Sequence, residues 1–232
     1  MISRRDFLRY AGLGTAGMIA DFIVPDFCLP SSEYIDVNIP EFCLRYKGRR
    51  FRVSVGKHQT QTPVGKGVIY EKVERPVFRY KDPGPLQGKI IRFCSTIDGR
   101  RVRVPYEKMR ALGIRIFTKN YGLTEKYRIH STTEYWNIGR PVSNGCIRLS
   151  IPDMLELYPA VPENTLIILR YETIVADDGG FTVFPDIYKK KTNTIESLER
   201  MLRERGIGCV EKEKLKKIIN EHAGKYISFS DI

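Results

Sequence analysis

One histidine and one cysteine in this sequence have the types and spacing needed for thiol chemistry. His130 and Cys146 lie in the stretch 128–150, and the whole chain has three histidines and five cysteines. A thiol is mostly protonated at neutral pH, and an imidazole that accepts its proton leaves a thiolate that attacks carbonyl carbon. Composition alone also allows a buried cysteine and a hydrogen-bonded histidine without a catalytic role, so the pair needs support from its surroundings.

The residues before Cys146 predict a turn that can bind an anion. The turn comprises Ser143, Asn144 and Gly145, and the glycine lets the backbone approach a ligand closely and adopt strained angles. Backbone N–H groups at such a turn can hold the oxyanion that forms when a carbonyl is attacked. The turn could therefore serve as an oxyanion hole beside a nucleophilic thiol.

A β-rich frame is predicted around these side chains. Apolar and polar residues alternate over Arg50–Val55, the period of a half-buried strand, and the preceding Lys-Gly pair at 47–48 indicates a hairpin. A compact apolar run at Thr165–Tyr171 indicates a buried strand. Such a frame brings His130 and Cys146 together if each ends a neighbouring strand.

Helix signals follow the cysteine. Ser150 can cap a helix that carries Asp153 in its first turn, and Thr194 can cap another that ends near Gly206. A third helix is predicted at 211–222 from its apolar face. Residues 74–110, with a strong turn signal at 81–85, are predicted to form a long loop or flap bearing short strands.

The positive charge is concentrated in one part of the chain. The 232 residues carry a formal net charge of +12, and the basic excess falls on residues 40–150. A basic face attracts polyanions or acidic ligands, or is simply a solvated surface. The sequence has no helix-turn-helix pattern, no zinc-finger spacing and no aromatic RNA-binding signature. Nucleic acid is therefore not expected as a partner.

The first thirty residues resemble a twin-arginine export signal. Arg4 and Arg5 are followed by Asp6, Phe7 and Leu8 and then by a weakly apolar run rich in glycine and alanine. Such signals are addresses read by a receptor, and the apolar run is short for a membrane span. The resemblance implies export to the periplasm or cell envelope, with segment 1–30 either cleaved or kept as a membrane tether.

The remaining cysteines do not suggest a metal site. The sequence has no Cys-x-x-Cys pair, and its histidines are scattered at 58, 130 and 222. We expect no metal and no cofactor. Cys43, Cys94 and Cys209 are expected to be small buried apolar residues.

The stretch 129–149 resembles the active-site signature of the L,D-transpeptidases, the YkuD-type domain. In that family an Ile-His-Ser-Thr segment supplies the histidine, and a turn ending in Gly-Cys-Ile-Arg supplies the nucleophile; here they are 129–132 and 145–148. The resemblance extends over 34–190, including a Thr-Pro-x-Gly turn at 62–65. It implies a mainly β fold, a YkuD-like β-sandwich or mixed β domain with one or two short helices. The catalytic domain would span 34–175, followed by an extension at 176–232 with two helices.

The resemblance also implies a reaction and roles for individual residues. Cys146 would attack a peptidoglycan stem peptide, His130 would be the base, and the Ser131 carbonyl would fix the imidazole tautomer. Main-chain N–H groups of Asn144, Gly145 and Cys146 would hold the oxyanion. The other predicted site residues are Ser143 in the turn, and Arg148 and Trp136 as candidate substrate contacts. Arg148 could equally form a salt bridge behind the site in place of a contact with substrate.

One departure from the family pattern leaves alternatives open. The family usually has histidine at the position of Asn144, whose amide can donate a hydrogen bond but carries no proton charge. The chain could therefore be a transpeptidase, a carboxypeptidase that uses the same thioester, or a wall-binding protein with impaired catalysis. We expect a monomer that acts on peptidoglycan stem peptides.

Overall fold

Strands dominate the backbone in a computed structural model of the chain, which describes residues 33–76, 94–97, 100–103, 106–118, 122–221 and 223–232. In chain order the described strands are β1 Ile35–Asn38, β2 Cys43–Tyr46, β3 Arg49–Arg52, β4 Val55–Gly56, β5 Gly65–Glu74, β6 Cys94–Ile97, β7 Arg100–Arg103, β8 Arg110–Thr118, β9 Gly122–Thr132, β10 Pro141–Ser143, β11 Ile147–Ser150, β12 Leu166–Arg170, β13 Ile174–Ala176, β14 Gly180–Val183 and β15 Tyr226–Ser228. The described α-helices are α1 Ile151–Ala160, α2 Ile195–Glu204 and α3 Lys212–Glu221. The predicted mainly β class with short helices is confirmed.

Eight strands form the sheet that carries the candidate site residues His130 and Arg148. Their order is β11-β9-β8-β5-β12-β1-β2-β3, so β11 and β3 are the two edges. Strand β11 runs parallel to β9, and β1 runs parallel to β12, whereas the other neighbouring pairs are antiparallel. The edge strand β3 presents three exposed arginines and one buried residue, Phe51.

The hairpin between β2 and β3 forms where the sequence predicts it. Tyr46 pairs with Arg49, and the two residues between them, Lys47 and Gly48, have φ of 47° and 73°. Positive φ at both central residues is the backbone shape whose twist matches that of the flanking strands. The Lys-Gly pair therefore sets the register of this sheet edge.

Helix α1 covers the sheet directly after the edge strand β11. Ser150 is its N-cap and accepts a hydrogen bond from the backbone N–H of Asp153, as predicted. The helix contacts β8, β9 and β11. It buries Ile151, and its Met154 and Leu157 belong to the main core. This packing fixes the strands that carry the candidate site. Pro159 lies within the last turn, and the helix ends one residue later.

The C-terminal residues form a second, smaller core. Strands β13, β14 and β15 make an antiparallel sheet, and α2 and α3 pack on it through Leu198, Leu202, Leu215 and Ile218. Both helices were predicted, and α2 begins at the predicted cap, Thr194. The sequence did not predict the sheet, because β13 and β15 are three residues long and too short for alternation to be recognised. Strand β13 spans the predicted domain boundary.

Some predictions fall on residues that are not described. The export segment 1–30 and the turn at 81–85 lie outside the described residues. The flap at 74–110 is described in part and contains the antiparallel pair of β6 and β7. No helix within the described ranges has the length and apolar character to cross a membrane. Cys43 is buried as predicted, whereas Cys209 is exposed because it lies in the loop between α2 and α3.

Candidate active site

Two parallel strands bring the histidine and cysteine segments together. Strand β11 pairs with β9, so that Ile147 faces Ile129 and Arg148 faces His130. Cys146 directly precedes β11, and His130 lies near the end of β9. Parallel neighbours require a long crossover, which residues 133–146 provide. The two segments thus become neighbours through strand pairing. His130 lies near the end of its strand as expected, whereas Cys146 precedes its strand and does not end it.

The His130 imidazole is buried and held in one tautomer. Its Nδ1 lies 2.8 Å from the Ser131 carbonyl oxygen. Because a carbonyl can only accept, Nδ1 carries the hydrogen and Nε2 keeps its lone pair. Desolvation lowers the pKa of His130 to about 4, and the charges of Arg148 and Arg128 lower it further against the opposing effect of the Ser131 hydrogen bond. At neutral pH this imidazole is uncharged and can accept a proton.

Gly145 has both an unusual backbone conformation and a close neighbour. Its φ is +104°, which favours glycine, and a Cβ there would lie 2.7 Å from Cε1 of Tyr127. Its N–H donates to Ser143 Oγ over 3.1 Å, and this hydroxyl donates in turn to the Cys146 carbonyl. The Gly145 N–H must therefore release the Ser143 hydroxyl before it can donate to an oxyanion, the contact that the sequence predicts.

Residues 57–62 form hydrogen bonds to the turn that precedes Cys146. The Ser143 carbonyl accepts from the Lys57 N–H and from Thr60 Oγ1, each over 3.0 Å. Thr62 Oγ1 donates to the Gly145 carbonyl over 2.9 Å. Short strands β4 and β10 pair beside these bonds. The turn that precedes Cys146 is thus held by hydrogen bonds from residues 57–62.

Arg148 has a carboxylate partner in the protein. Its Nη1 lies 2.9 Å from Oε2 of Glu134, and its backbone exchanges two hydrogen bonds of 2.9 Å with Ser54. Within the described part of the chain, its buried Nε has no hydrogen-bond partner. Of the two alternatives left open by the sequence, the structure therefore contains the salt bridge. A substrate contact would use the remaining donors of the guanidinium.

The aromatic residues of the crossover face solvent. Tyr135 and Trp136 are 45% and 49% exposed and lie in a short 3₁₀ turn. This turn is fixed by Ser54, whose Oγ donates to the Asn137 carbonyl over 2.6 Å. Trp136 is thus available for contact with a ligand and does not belong to the core. The described residues contain no group of three or more His, Cys, Asp or Glu side chains that could hold a metal ion.

A family model for the L,D-transpeptidase catalytic domain, YkuD, matches residues 32–169. The chain belongs to this family. Among its relatives is YqjB of Bacillus subtilis (strain 168), whose name assigns it to the L,D-transpeptidases and which is 26% identical over 126 residues. That match covers 51% of this chain and 57% of YqjB, so the chain spans little more than half of the relative's length.

Solved structures of L,D-transpeptidases are also similar to this chain. An enzyme from Mycobacterium smegmatis is 20% identical, with a TM-score of 0.40, and the match covers 60% of this chain and 58% of that one. The catalytic domain of the E. faecium enzyme is 18% identical, with a TM-score of 0.37, and the match covers 60% of this chain and 98% of that one.

Three residues that support the candidate site were not predicted from sequence. They are Tyr127, whose ring packs against Gly145, and Thr60 and Thr62, which hold the turn. The Thr-Pro-x-Gly motif at 62–65 was the available signal for Thr62, but the motif does not reveal the hydrogen bond to Gly145. Asn144 is exposed, whereas His130 is buried.

Proposed function

We propose that this chain is a peptidoglycan L,D-transpeptidase in which Cys146 is the nucleophile and His130 is the base. The observation that carries the proposal is the state of His130: it is buried, uncharged at neutral pH and tied through Nδ1 to the Ser131 carbonyl. Its strand is the hydrogen-bonded neighbour of the strand that follows Cys146. A base of known tautomer, on the strand next to the one that follows the cysteine, is suited to acyl transfer.

The first half-reaction forms a thioester. Cys146 Sγ attacks the carbonyl carbon at the L-centre of the third residue of a tetrapeptide stem, and Nε2 of His130 accepts the thiol proton. The oxygen of the tetrahedral intermediate is stabilised by main-chain N–H groups of the turn that contains Asn144. The intermediate then expels the terminal D-Ala, whose amine takes the proton from His130.

The second half-reaction consumes the thioester. A side-chain amine of another stem attacks the acyl carbon, His130 accepts a proton from that amine, and the Cys146 thiol is regenerated as it leaves. The product links the third residues of two stems. A protein lysine as acceptor would attach protein to the wall, and water as acceptor would make the chain a carboxypeptidase.

Charge supports an acidic substrate. Residues 40–150 carry the whole basic excess of a chain whose net charge is +12, and stem peptides carry several carboxylates. Arg148 lies two residues after Cys146, within the strand that follows the cysteine. We propose that it binds a substrate carboxylate with the donors that Glu134 does not use.

The departure at Asn144 motivates the second candidate, a wall-binding protein without catalysis. Two observations weigh against it. Asn144 is exposed, and the imidazole that meets the requirements of a base is His130. We therefore propose that Asn144 changes the rate or pH dependence of the reaction and does not abolish it.

Incubation with a tetrapeptide-stem muropeptide tests the proposal. Mass spectrometry should show a dimer lacking one D-Ala, whereas a tripeptide monomer would indicate hydrolysis. Cys146→Ala should give neither product. His130→Ala should react far more slowly than the parent, and equal rates would refute the assignment of the base. Unchanged muropeptide with retained binding would refute the enzyme and support a wall-binding protein.

We further propose that the protein is exported by the twin-arginine route and acts as a monomer in the cell envelope. The support is the Arg4-Arg5 pair and the apolar run that follows it. Replacing both arginines by lysine should retain the protein inside the cell, as measured by fractionation after osmotic shock. Undiminished export of this variant would contradict the route.

A further inference from the structure

Tyr188 lies beyond the residues that match the family model, yet its side chain reaches the main core. It follows strand β14, is 2% exposed, and packs with the buried residues of the eight-stranded sheet. Its phenol hydroxyl donates to the Gly56 carbonyl over 2.8 Å and accepts from the Thr62 N–H over 3.0 Å. The extension thus ends a hydrogen-bond path that begins at the catalytic turn.

The path runs through a single threonine. Thr62 Oγ1 accepts from the Gly56 N–H over 2.8 Å and donates to the Gly145 carbonyl over 2.9 Å. Gly145 immediately precedes Cys146. The Tyr188 hydroxyl therefore binds the backbone of Thr62 and the backbone of Gly56, and Gly56 is also bound by the Thr62 side chain. The position of the Gly145 carbonyl thus depends on the Tyr188 hydroxyl.

The ring of Tyr188 is itself fixed. It stacks on Tyr171 with the ring centroids 5.1 Å apart, and its backbone N–H donates to the Tyr171 hydroxyl over 2.7 Å. That hydroxyl donates to Asp186 Oδ1 over 2.6 Å. The Asp186 carboxylate also accepts the N–H groups of Lys190 and Lys191 over 3.0 and 2.6 Å. The turn at 186–191 thus orients Tyr188 before its hydroxyl meets the catalytic domain.

We propose that Tyr188 is a positioning residue for Cys146, acting through Thr62 on the carbonyl of Gly145; the inference rests on the proposed function. A tyrosine that only filled the core could place its hydroxyl at the surface or against its own turn. Here the buried hydroxyl satisfies one donor and one acceptor in the segment that holds the nucleophile turn. Small displacements of a nucleophile reduce rates strongly, so this support controls the chemical step.

Tyr188→Phe removes the hydroxyl and keeps the ring. The matched control is Tyr46→Phe, because Tyr46 is also buried and its hydroxyl donates to the Ala160 carbonyl over 3.2 Å, away from the turn. We expect Tyr188→Phe to lower kcat about tenfold with KM within about twofold of the parent, since the lost contact does not touch substrate. Tyr46→Phe should retain both constants.

A second readout does not depend on the substrate. The rate at which iodoacetamide alkylates Cys146 in the full chain, located by peptide mass spectrometry, should fall several-fold in Tyr188→Phe and stay unchanged in Tyr46→Phe. If the parent chain lacks activity on muropeptides, the proposed function fails, yet the alkylation rates still test the positioning role.

Thr62→Val interrupts the same path one step closer to the nucleophile and serves if Tyr188→Phe does not fold. It should slow alkylation at least as much, and the double variant should be no slower than Thr62→Val alone, because both changes break one path. Alkylation rates and kcat of folded Tyr188→Phe within about twofold of the parent would overturn the inference. Additive effects of the two substitutions would overturn it as well.

Discussion

Gly145 should not tolerate even the smallest side chain. An alanine Cβ there would sit 2.7 Å from Cε1 of Tyr127, at a φ of +104°. The backbone conformation costs an L-residue about 1–2 kcal/mol, and crowding a packed aromatic ring costs about 1–3 kcal/mol. A loss of about 3 kcal/mol in the free energy of unfolding corresponds to a fall of about 6–12 °C in Tm for a chain of this size.

Gly48→Ala is the matched control for this substitution. Gly48 also has positive φ, +73°, but a Cβ there would have nothing within 4 Å. Gly48→Ala therefore has the cost of an L-residue at positive φ but no steric contact. Both variants lower the conformational entropy of the unfolded chain equally. We expect Gly48→Ala to lower Tm by about 2–4 °C, for a cost of about 1 kcal/mol.

Calorimetric melting of both variants separates the two costs. Adding Tyr127→Leu to Gly145→Ala removes the ring edge and should recover stability relative to Gly145→Ala, but not the strain at position 145. Should Gly145→Ala melt at the same temperature as Gly48→Ala, the contact with Tyr127 contributes nothing and the reasoning from the geometry is wrong. An unchanged Tm for Gly145→Ala would refute the backbone argument too.

Acid dependence, helix capping and ion pairing each provide a further test. Because desolvation holds the pKa of His130 at about 4, the base stays uncharged as the pH falls, and single-turnover acylation should decline only near that pH; a midpoint above about 6 would contradict this. Ser150→Ala removes the N-cap of α1 and should cost about 1 kcal/mol, or about 2–4 °C in Tm by calorimetry, whereas an unchanged Tm would show that the cap does not stabilise. Glu134→Gln leaves the Arg148 guanidinium without its carboxylate and should lower KM for stem peptides while Tm changes by no more than about 2–4 °C; a raised KM would show that the ion pair supports the site.

The histidine and cysteine segments could be predicted because their signals are local. The active-site signature lies within the stretch 129–149, and the predicted β-rich frame allows its two segments to become neighbours by strand pairing. The three helices were also predicted from local information, since caps such as Ser150 and Thr194 and apolar faces each span a few residues. Each of these features can therefore be recognised from a few consecutive residues.

The support of the turn at 143–145 could not be predicted, because its contacts join distant parts of the chain. The hydroxyl of Tyr188 meets a backbone amide 126 positions earlier, and Thr62 meets Gly145 across 83 positions. No periodicity records such pairs. The partner of Arg148 was likewise undetermined from sequence, since Glu134 lies in the crossover and its direction depends on how residues 133–146 fold.

The arginines of the edge strand β3 also bear on how readily the folded chain aggregates at high concentration. An edge strand offers unpaired backbone groups to any other chain, and charged side chains are one way in which proteins prevent such pairing. Arg49, Arg50 and Arg52 are exposed on β3, and only Phe51 turns inward. Arg49 and Arg50 are also paired with Glu156 and Glu41, so the edge is covered by charged side chains of both signs that another chain would have to displace. Part of the positive charge therefore protects the folded chain from aggregation and is independent of any substrate.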